Sequence, residues 1–234
     1  MRAAERTYAR AVLPWMRPVA RPVRRGVQLL VGLVLYAASI AMLVDAGLGS
    51  MPWDVLTQGI VRRTDLSFGL VTLIVGLVVL ACWIPLRQRP GIGTVANVVV
   101  ISAMVDPFLA VLDQLPDSLG VRIALAASGI VLNGLATGLY VGARLGPGPR
   151  DGLMTALVRR TGRSVRLVRT SIEVSVVLIG VILGGTLGVA TVAYALVIGP
   201  LTQFFVPYLV IHLPSDLAAA PPVAAAPEAP PAAA

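Results

Sequence analysis

The stretch LGSMPWDVL at Leu48–Leu56 returns 97 positions later as LGPGPRDGL at Leu145–Leu153. Both copies read L-G-x-x-P-x-D-x-L, and the same offset joins the Arg-Arg-Thr of Arg62–Thr64 to that of Arg159–Thr161. An apolar composition raises chance matches of Leu, Val and Ala, but it does not place Pro-x-Asp and Arg-Arg-Thr at one constant spacing. The sequence therefore predicts an internal repeat.

The chain around this motif has the composition of a membrane protein. Its 234 residues are 57% hydrophobic and 13% charged, with a mean hydropathy of +0.86, whereas a soluble domain carries about 25% charged residues. The formal net charge of +8 comes from nineteen Arg and no Lys. In such a chain basic residues set the orientation in the membrane, and we expect no nucleic-acid partner. The single cysteine, Cys82, excludes an intramolecular disulfide.

Six segments are expected to span the membrane, since a bilayer core about 30 Å thick needs roughly 20 apolar residues in a helix. The charge-free run from Val174 to Ile211 is too long for one span, and the glycine-rich segment Gly184–Gly188 divides it. The expected spans are Gly26–Val44, Leu66–Leu86, Thr94–Leu112, Ile123–Ala143, Arg166–Leu183 and Val189–Ile211.

Each copy of the repeat contains three spans, and an odd number of crossings turns the second copy upside down relative to the first. With the N-terminus in the cytoplasm, sixteen Arg lie on the cytoplasmic side and three outside, as the positive-inside rule requires. We therefore expect an all-α integral membrane fold of about six transmembrane helices, arranged as two three-helix units in an inverted-topology repeat. The protein is expected in a bacterial inner membrane with both termini in the cytoplasm. A five-span arrangement stays open.

The chain then divides into four segments. Residues 1–25 form a basic cytoplasmic arm, residues 26–118 the first three-span unit and residues 119–213 the second. Residues 214–234 are almost all Ala and Pro, with too little bulky apolar surface to fold, and we expect a disordered tail.

Each Pro-x-Asp loop predicts a short helix after the first span of its unit. Gly49 with Pro52, and Gly146 with Pro149, are expected to shape the loops, since glycine ends a helix and proline suits a first helical turn. The Asp that follows meets the positive end of the new helix. Two interpretations remain open. The short helices lie at the membrane surface and the Asp residues stabilise them, or the helices dip into the membrane and line a polar site.

Five residues are the candidates for binding a substrate. Asp54, Asp151 and Arg150 belong to the motif, and Trp53 is the counterpart of Arg150 in the first copy. Asp106 is an acidic residue within the third expected span, where an ionisable group is either functional or solvated near the outer face. Arg150 lies in the most unusual stretch of the chain, and we expect it to contact an anion.

Several other residues have structural expectations. Ser67 and Ser164 are predicted N-caps, and Glu173 is predicted to pair with Arg169 one helical turn away. Interhelical hydrogen bonds are expected of Asn97 and Asn133. The glycine stripe Gly134, Gly138 and Gly142 favours close helix packing, either within the bundle or in a dimer.

These residues also resemble a known family. The motifs AGLGxxPWDVL at Ala46–Leu56, WIPLRQRPGxGTxAN at Trp83–Asn97 and LGPGPRDGLM at Leu145–Met154 are similar to those of bacterial YczE-type membrane proteins of the wider YitT/YczE group, over roughly Gly26–Gln203. The resemblance implies a polytopic bacterial inner-membrane protein. It implies no particular activity and supplies no catalytic residues.

Inverted repeats are common in secondary transporters, so we expect a transporter or permease-like protein for a small solute or ion. The alternative is an accessory or regulatory membrane protein that binds another membrane complex, and a homodimer stays open. An intramembrane enzyme is disfavoured, because the chain has no P-loop, no zinc-type His/Cys spacing and no Gly-x-Ser-x-Gly elbow. We accordingly expect the lipid bilayer as the surrounding medium, and no catalytic residues, metal or cofactor.

Overall fold

The structure, a computed structural model, describes residues 22–211, and within that range the chain contains helices and no strand. The helices described are α1 (Pro22–Ala46), α2 (Pro52–Val61), α3 (Phe68–Trp83), α4 (Ile92–Leu112), α5 (Leu119–Gly142), α6 (Pro149–Thr161), α7 (Val165–Ile182) and α8 (Val189–Leu209). Residues 23–210 pack as one compact unit. The arm before residue 22 and the tail 214–234 lie outside the described residues. Because α1 begins at Pro22, the end of the segment assigned to the arm (residues 1–25) is helical instead.

Four of the expected spans are confirmed as helices long and apolar enough to cross a membrane, namely α1, α4, α5 and α8. At the second expected span, α3 is apolar but has 16 residues, about 24 Å of helix against a core of about 30 Å. At the fifth, α7 has 18 residues and carries Arg166, Arg169 and Glu173. The six-span count therefore stays a prediction.

Helix boundaries follow the local signals in the sequence. The Ser67 hydroxyl accepts a hydrogen bond from the backbone N–H three residues later at 3.2 Å, and the Ser164 hydroxyl does the same at 3.3 Å, which confirms both N-caps. Helix α7 ends at Ile182 and α8 begins at Val189, so the glycine-rich segment divides the long apolar run as predicted.

The two halves of the chain have matching helix boundaries. Helices α5, α6, α7 and α8 begin at Leu119, Pro149, Val165 and Val189, each 97 positions after the start of α1, α2, α3 and α4. Contacts between the halves form matched pairs at the same offset. The Gly93 N–H donates to the Leu145 carbonyl, and the Ala190 N–H donates to the Leu48 carbonyl, both at 3.0 Å. Reciprocal contacts of this kind belong to an approximate two-fold rotation that exchanges the two halves.

A second matched pair caps the C-terminal ends of α1 and α5. Arg25 Nε donates to the Ala143 carbonyl at 2.8 Å, and Arg122 Nε donates to the Ala46 carbonyl at 2.7 Å. A basic side chain satisfies the free carbonyls that every helix leaves at its C-terminus. Each half of the chain therefore supplies the cap for the first helix of the other half.

Helices α1 and α5 pack against each other in antiparallel directions. A Cβ added at Gly32 would lie 2.8 Å from the backbone N of Tyr140, and one added at Gly129 would lie 3.1 Å from Leu43 Cγ. The early part of each helix thus contacts the late part of the other. The contact at Gly32 is closer than a larger residue allows and the one at Gly129 is tight, so glycine at these positions permits the close packing of the two helices.

The glycine stripe of α5 packs on α8. Cβ atoms added at Gly134, Gly138 and Gly142 would lie 2.7, 2.9 and 2.5 Å from atoms of α8. Of the two interpretations of this stripe, the one within the bundle is therefore confirmed.

Candidate functional site

Glycines at matched positions let the loops before α2 and α6 approach other helices closely. Gly49 and Gly146 have φ angles of +112° and +133°, a conformation that residues with side chains rarely adopt. A Cβ at Gly49 would lie 2.6 Å from a threonine hydroxyl of α8, and one at Gly146 would lie 3.1 Å from a threonine hydroxyl of α4. Pro52 and Pro149 then form the first turn of each short helix.

Asp54 lies in the first turn of α2 and its side chain is completely buried. Neither carboxylate oxygen has a hydrogen-bond partner among residues 22–211. A capping carboxylate accepts hydrogen bonds from the free amides of its helix, and Asp54 accepts none. Its nearest charged neighbour is Arg150, whose Nη2 lies 3.6 Å from Asp54 Oδ1. This carboxylate therefore faces a guanidinium from the other half of the chain.

Arg150 lies between Asp54 and an aromatic ring. Its guanidinium carbon is 5.1 Å from the centre of the Trp53 ring, which is within the range of a cation–π interaction. The side chain is 25% exposed. Neither contact is a hydrogen bond, and the guanidinium donates no hydrogen bond to a described residue. Most of its five N–H donors therefore remain available.

Asp151 occupies the matched position in α6, but its surroundings differ. Its Oδ2 accepts a hydrogen bond from the Tyr140 hydroxyl at 3.0 Å, and the residue is exposed. Helix α6 itself is held against α3 by Trp83, whose Nε1 donates to the Pro149 carbonyl at 3.1 Å. The two Asp residues of the motif therefore sit in different surroundings.

Two cavities meet at this cluster. The α3–α4 cavity has a volume of about 50 Å³ and the α7–α8 cavity about 100 Å³. Tyr36, Arg150 and Asp151 line both. These three side chains therefore stand between the two cavities.

Several other lining residues occupy matched positions in the two halves. Thr72, Gly76 and Asn97 of the α3–α4 cavity correspond, 97 positions on, to Arg169, Glu173 and Tyr194 of the α7–α8 cavity. Arg169 Nε lies 2.9 Å from Glu173 Oε1, which confirms the predicted pair. The cavities are thus equivalent in position, and the second one has acquired charge.

Asp106 is not part of this cluster. Its Oδ1 accepts a hydrogen bond from the backbone N–H of Gly69 at 2.8 Å, at the start of α3, and it lines neither cavity. The structure thus brings together Asp54, Arg150, Asp151 and Trp53. Asp106 lies apart from them and contacts the first turn of α3. A binding role for Asp106 stays a prediction that these contacts do not favour.

Three tyrosines of the site, Tyr36, Tyr140 and Tyr194, were not found by sequence reasoning. The offset held a signal, because Tyr36 matches Asn133 and Asn97 matches Tyr194, an exchange of Tyr and Asn between the copies. The structure explains half of this exchange, since the Tyr194 hydroxyl donates to Asn133 Oδ1 at 3.0 Å.

Asn133 also joins two helices of different halves. Its Nδ2 donates to the Ser39 hydroxyl at 2.9 Å, and the Asn133 side chain is fully buried, so its predicted interhelical hydrogen bond is confirmed. The same prediction for Asn97 remains untested. Within residues 22–211, no three His, Cys, Asp or Glu side chains gather closely enough to hold a metal ion.

Comparisons with known proteins place this site in a group without an assigned activity. A model described as "Family of unknown function (DUF6198)" matches residues 23–207. An uncharacterized protein of Haemophilus influenzae is 39% identical over 75% of this chain and 82% of its own length. The uncharacterized membrane protein YczE of Bacillus subtilis is 31% identical over 82% of this chain and 93% of its own length. No solved structure matches the chain.

Proposed function

Since this chain belongs to the DUF6198 family, whose function is unknown, we infer its activity from its own geometry and propose that it is a transporter of a small solute or ion. It works as a non-enzymatic multi-pass protein of a bacterial cell membrane. The membrane assignment follows from the four long apolar helices and the YczE relative.

The observation that carries the proposal is the contact between Trp53 and Arg150. These residues occupy the same position in the two copies of the motif, and they touch each other. A residue that touches its own symmetry mate lies on the axis that relates the two halves. The cluster of Trp53, Arg150 and Asp54 is therefore at the interface between the repeats, where secondary transporters bind their substrates.

The direction of the helices supports an inverted repeat. The equivalent helices α1 and α5 run antiparallel, as an inverted pair of spans does. Three spans in each unit would also invert the second unit relative to the first. The axis of an inverted repeat lies in the plane of the membrane. On this proposal the short helices α2 and α6 enter the membrane from opposite sides and meet at its midplane, with both chain termini in the cytoplasm.

The paired cavities supply the two access routes of an alternating-access cycle. If the repeats are inverted, cavities at matched positions face opposite sides of the membrane. Tyr36, Arg150 and Asp151 line both cavities and form the barrier between them. Rocking of one unit against the other would open one cavity while it closes its counterpart.

Cysteine labelling tests this arrangement at two matched positions. Val75 lines the α3–α4 cavity and Ile172 occupies the equivalent place in the α7–α8 cavity. In a Cys82→Ser background, Val75→Cys and Ile172→Cys are labelled in cells and in inverted vesicles with a membrane-impermeant maleimide. Leu77→Cys and Val174→Cys are the matched controls, because these exposed residues of α3 and α7, 97 positions apart, line neither cavity and should face lipid.

The proposal predicts that the two cavity positions react from opposite sides of the membrane, while the control positions react poorly. Reaction of both cavity positions from the same side contradicts the inverted repeat. If both cavity positions stay as unreactive as their controls, neither cavity reaches water. The alternative of an accessory protein that binds another membrane complex then replaces transport.

A further inference from the structure

We propose that Arg150 anchors a small oxyanion or carboxylate in the α7–α8 cavity, and that Asp54 is an internal anion which competes with this ligand for the guanidinium. The proposal rests on the transport function above and specifies the class of its substrate. It gives Asp54 a task that differs from the anion contact predicted for Arg150.

The ion pair between Arg150 and Asp54 is incomplete. At 3.6 Å, Nη2 and Oδ1 are too far apart for a hydrogen bond. The Asp54 oxygens are fully buried and have no hydrogen-bond partner among the described residues. In a complete buried ion pair, both side chains form hydrogen bonds, and arginine commonly donates two parallel hydrogen bonds to a carboxylate. Here the donors of Arg150 remain free for a second oxyanion.

The α7–α8 cavity is larger than its counterpart and has a second arginine, which pairs with Glu173. Arg169 and Arg150 both line it, whereas Thr72 takes the place of Arg169 in the α3–α4 cavity. Its volume of about 100 Å³ is well above the roughly 10–15 Å³ that a single water needs. The cavity therefore has room for a small monocarboxylate or an inorganic oxyanion.

The balance of charge requires a proton to enter with the anion. Arg150 on α6 and Arg169 on α7 face three carboxylates, which are Asp54 on α2, Asp151 on α6 and Glu173 on α7. Tyr36 of α1 and Tyr194 of α8 line the same cavity, and α3 carries no charged residue. An anion added to this set leaves two unpaired negative charges at membrane depth, which is expensive.

Protonation of Asp54 removes this obstacle. Asp54 lines neither cavity, so a proton from cavity water reaches one of its oxygens when the Arg150 side chain moves aside. The carboxyl then becomes neutral, and the attraction that holds Arg150 at Asp54 is lost. The guanidinium then donates to the incoming anion instead. Release of the anion on the other side allows the carboxyl to lose its proton and the pair to form again, so one proton accompanies each monoanion.

Binding to the purified full-length protein in lipid nanodiscs tests this inference, with acetate and inorganic phosphate as the two probes. Acetate represents a small carboxylate and phosphate an inorganic oxyanion, so the two calorimetric titrations identify which class of anion the site prefers. Wild-type protein should bind its preferred probe about ten-fold more tightly in mildly acidic than in mildly alkaline buffer, which is the size of one charge-assisted hydrogen bond.

The Asp54→Asn variant gives the decisive result. It removes the competing anion, so the preferred probe should bind about ten-fold more tightly than to wild type in alkaline buffer. For acetate, whose own charge does not change over this range, the dependence on pH should disappear. Asp106→Asn is the control, since this carboxylate accepts from the Gly69 N–H and has no contact with Arg150, so its loss should leave binding unchanged. The double variant Asp54→Asn/Arg150→Gln removes both charges without leaving a buried one unpaired, and it should bind neither probe.

Three outcomes overturn the inference. These are no binding of acetate or phosphate to wild type and Asp54→Asn, weaker binding to Asp54→Asn than to wild type, or retained binding in the double variant. The proposed transport function fails separately. If the anion binds as expected but neither it nor a proton crosses the membrane of proteoliposomes, the site is a sensor and the transport proposal is wrong.

Discussion

Helices α2 and α6 begin with the same Pro-x-Asp motif, yet they use its carboxylate differently. Asp54 is completely buried beside a guanidinium of the other half and accepts no hydrogen bond from a described residue. Asp151 is exposed and accepts a hydrogen bond from Tyr140. The same sequence motif therefore has a buried aspartate in one copy and an exposed aspartate in the other. A helix-capping need shared by both copies does not explain this difference, whereas a site that uses the two halves unequally does.

The packing contacts of the two short helices, α2 and α6, differ as well. Helix α2 packs on α7 through backbone contacts, since a Cβ at Gly59 would lie 2.5 Å from the Gly180 carbonyl oxygen. At the equivalent contact between α6 and α3, Trp83 stands where α7 has Gly180, and its ring lies against Gly152. Gly152 is the counterpart of Val55, so a glycine of α7 meets Val55 of α2 where a buried tryptophan of α3 meets a glycine of α6.

Removal of Arg150 should produce the largest loss of stability. In Arg150→Ala the Asp54 carboxylate remains buried without the guanidinium that lies 3.6 Å from it, and breaking a buried ion pair from one side costs about 3–5 kcal/mol. Asp54→Asn should cost less, because Arg150 keeps its contact with Trp53 and part of its side chain reaches the cavity. Reversible unfolding of the detergent-purified protein in SDS gives both free energies of unfolding.

The double variant Asp54→Asn/Arg150→Ala is the control for this prediction. It should be more stable than Arg150→Ala alone, because the buried charge has gone. Equal losses for the two single variants, with no recovery in the double variant, would show that Arg150 stabilises the protein by packing alone.

Gly152→Ala tests the seating of α6. The added Cβ would lie 2.0 Å from Trp83 Cζ2, and the buried ring has little room to withdraw, so we expect a loss of about 1–3 kcal/mol in the free energy of unfolding. Gly199→Ala in α8 is the matched control, because nothing lies within 4 Å of its added Cβ. It should be neutral or stabilising, since alanine favours a helix over glycine by about 1 kcal/mol. Equal effects of the two substitutions would contradict close packing on Trp83.

Much of the fold follows from the sequence because its signals are local. The N-caps at Ser67 and Ser164, the four long apolar spans and the glycine-rich break before α8 each depend on a few neighbouring residues. The length of α3 was harder to predict. An apolar run does not show where a helix stops, and residues Ile84–Leu86, counted within the second span, lie beyond its end at Trp83.

The site was only partly predictable, because its contacts join distant parts of the chain. The motif identified Asp54, Arg150, Asp151 and Trp53 as candidates, but their meeting depends on how deeply two loops from different halves enter the bundle. Nothing local in the sequence sets that depth. Asp106 looked equally promising because an acidic residue in an apolar helix suggests function, and only the structure places it at the Gly69 amide.

The exchange of Tyr and Asn between the halves predicts a small difference in stability between two matched variants. Asn133 donates to Ser39 and accepts from Tyr194, whereas its counterpart in the other pair, Asn97, lines the α3–α4 cavity. Hydrogen bonds between membrane helices contribute about 0.6 kcal/mol on average and up to about 1.7 kcal/mol, so Asn133→Ala should cost about 1 kcal/mol and Asn97→Ala less. Both are measurable by unfolding in SDS. A larger loss for Asn97→Ala would mean that the first half, and not the second, carries the polar contact that holds the two units together.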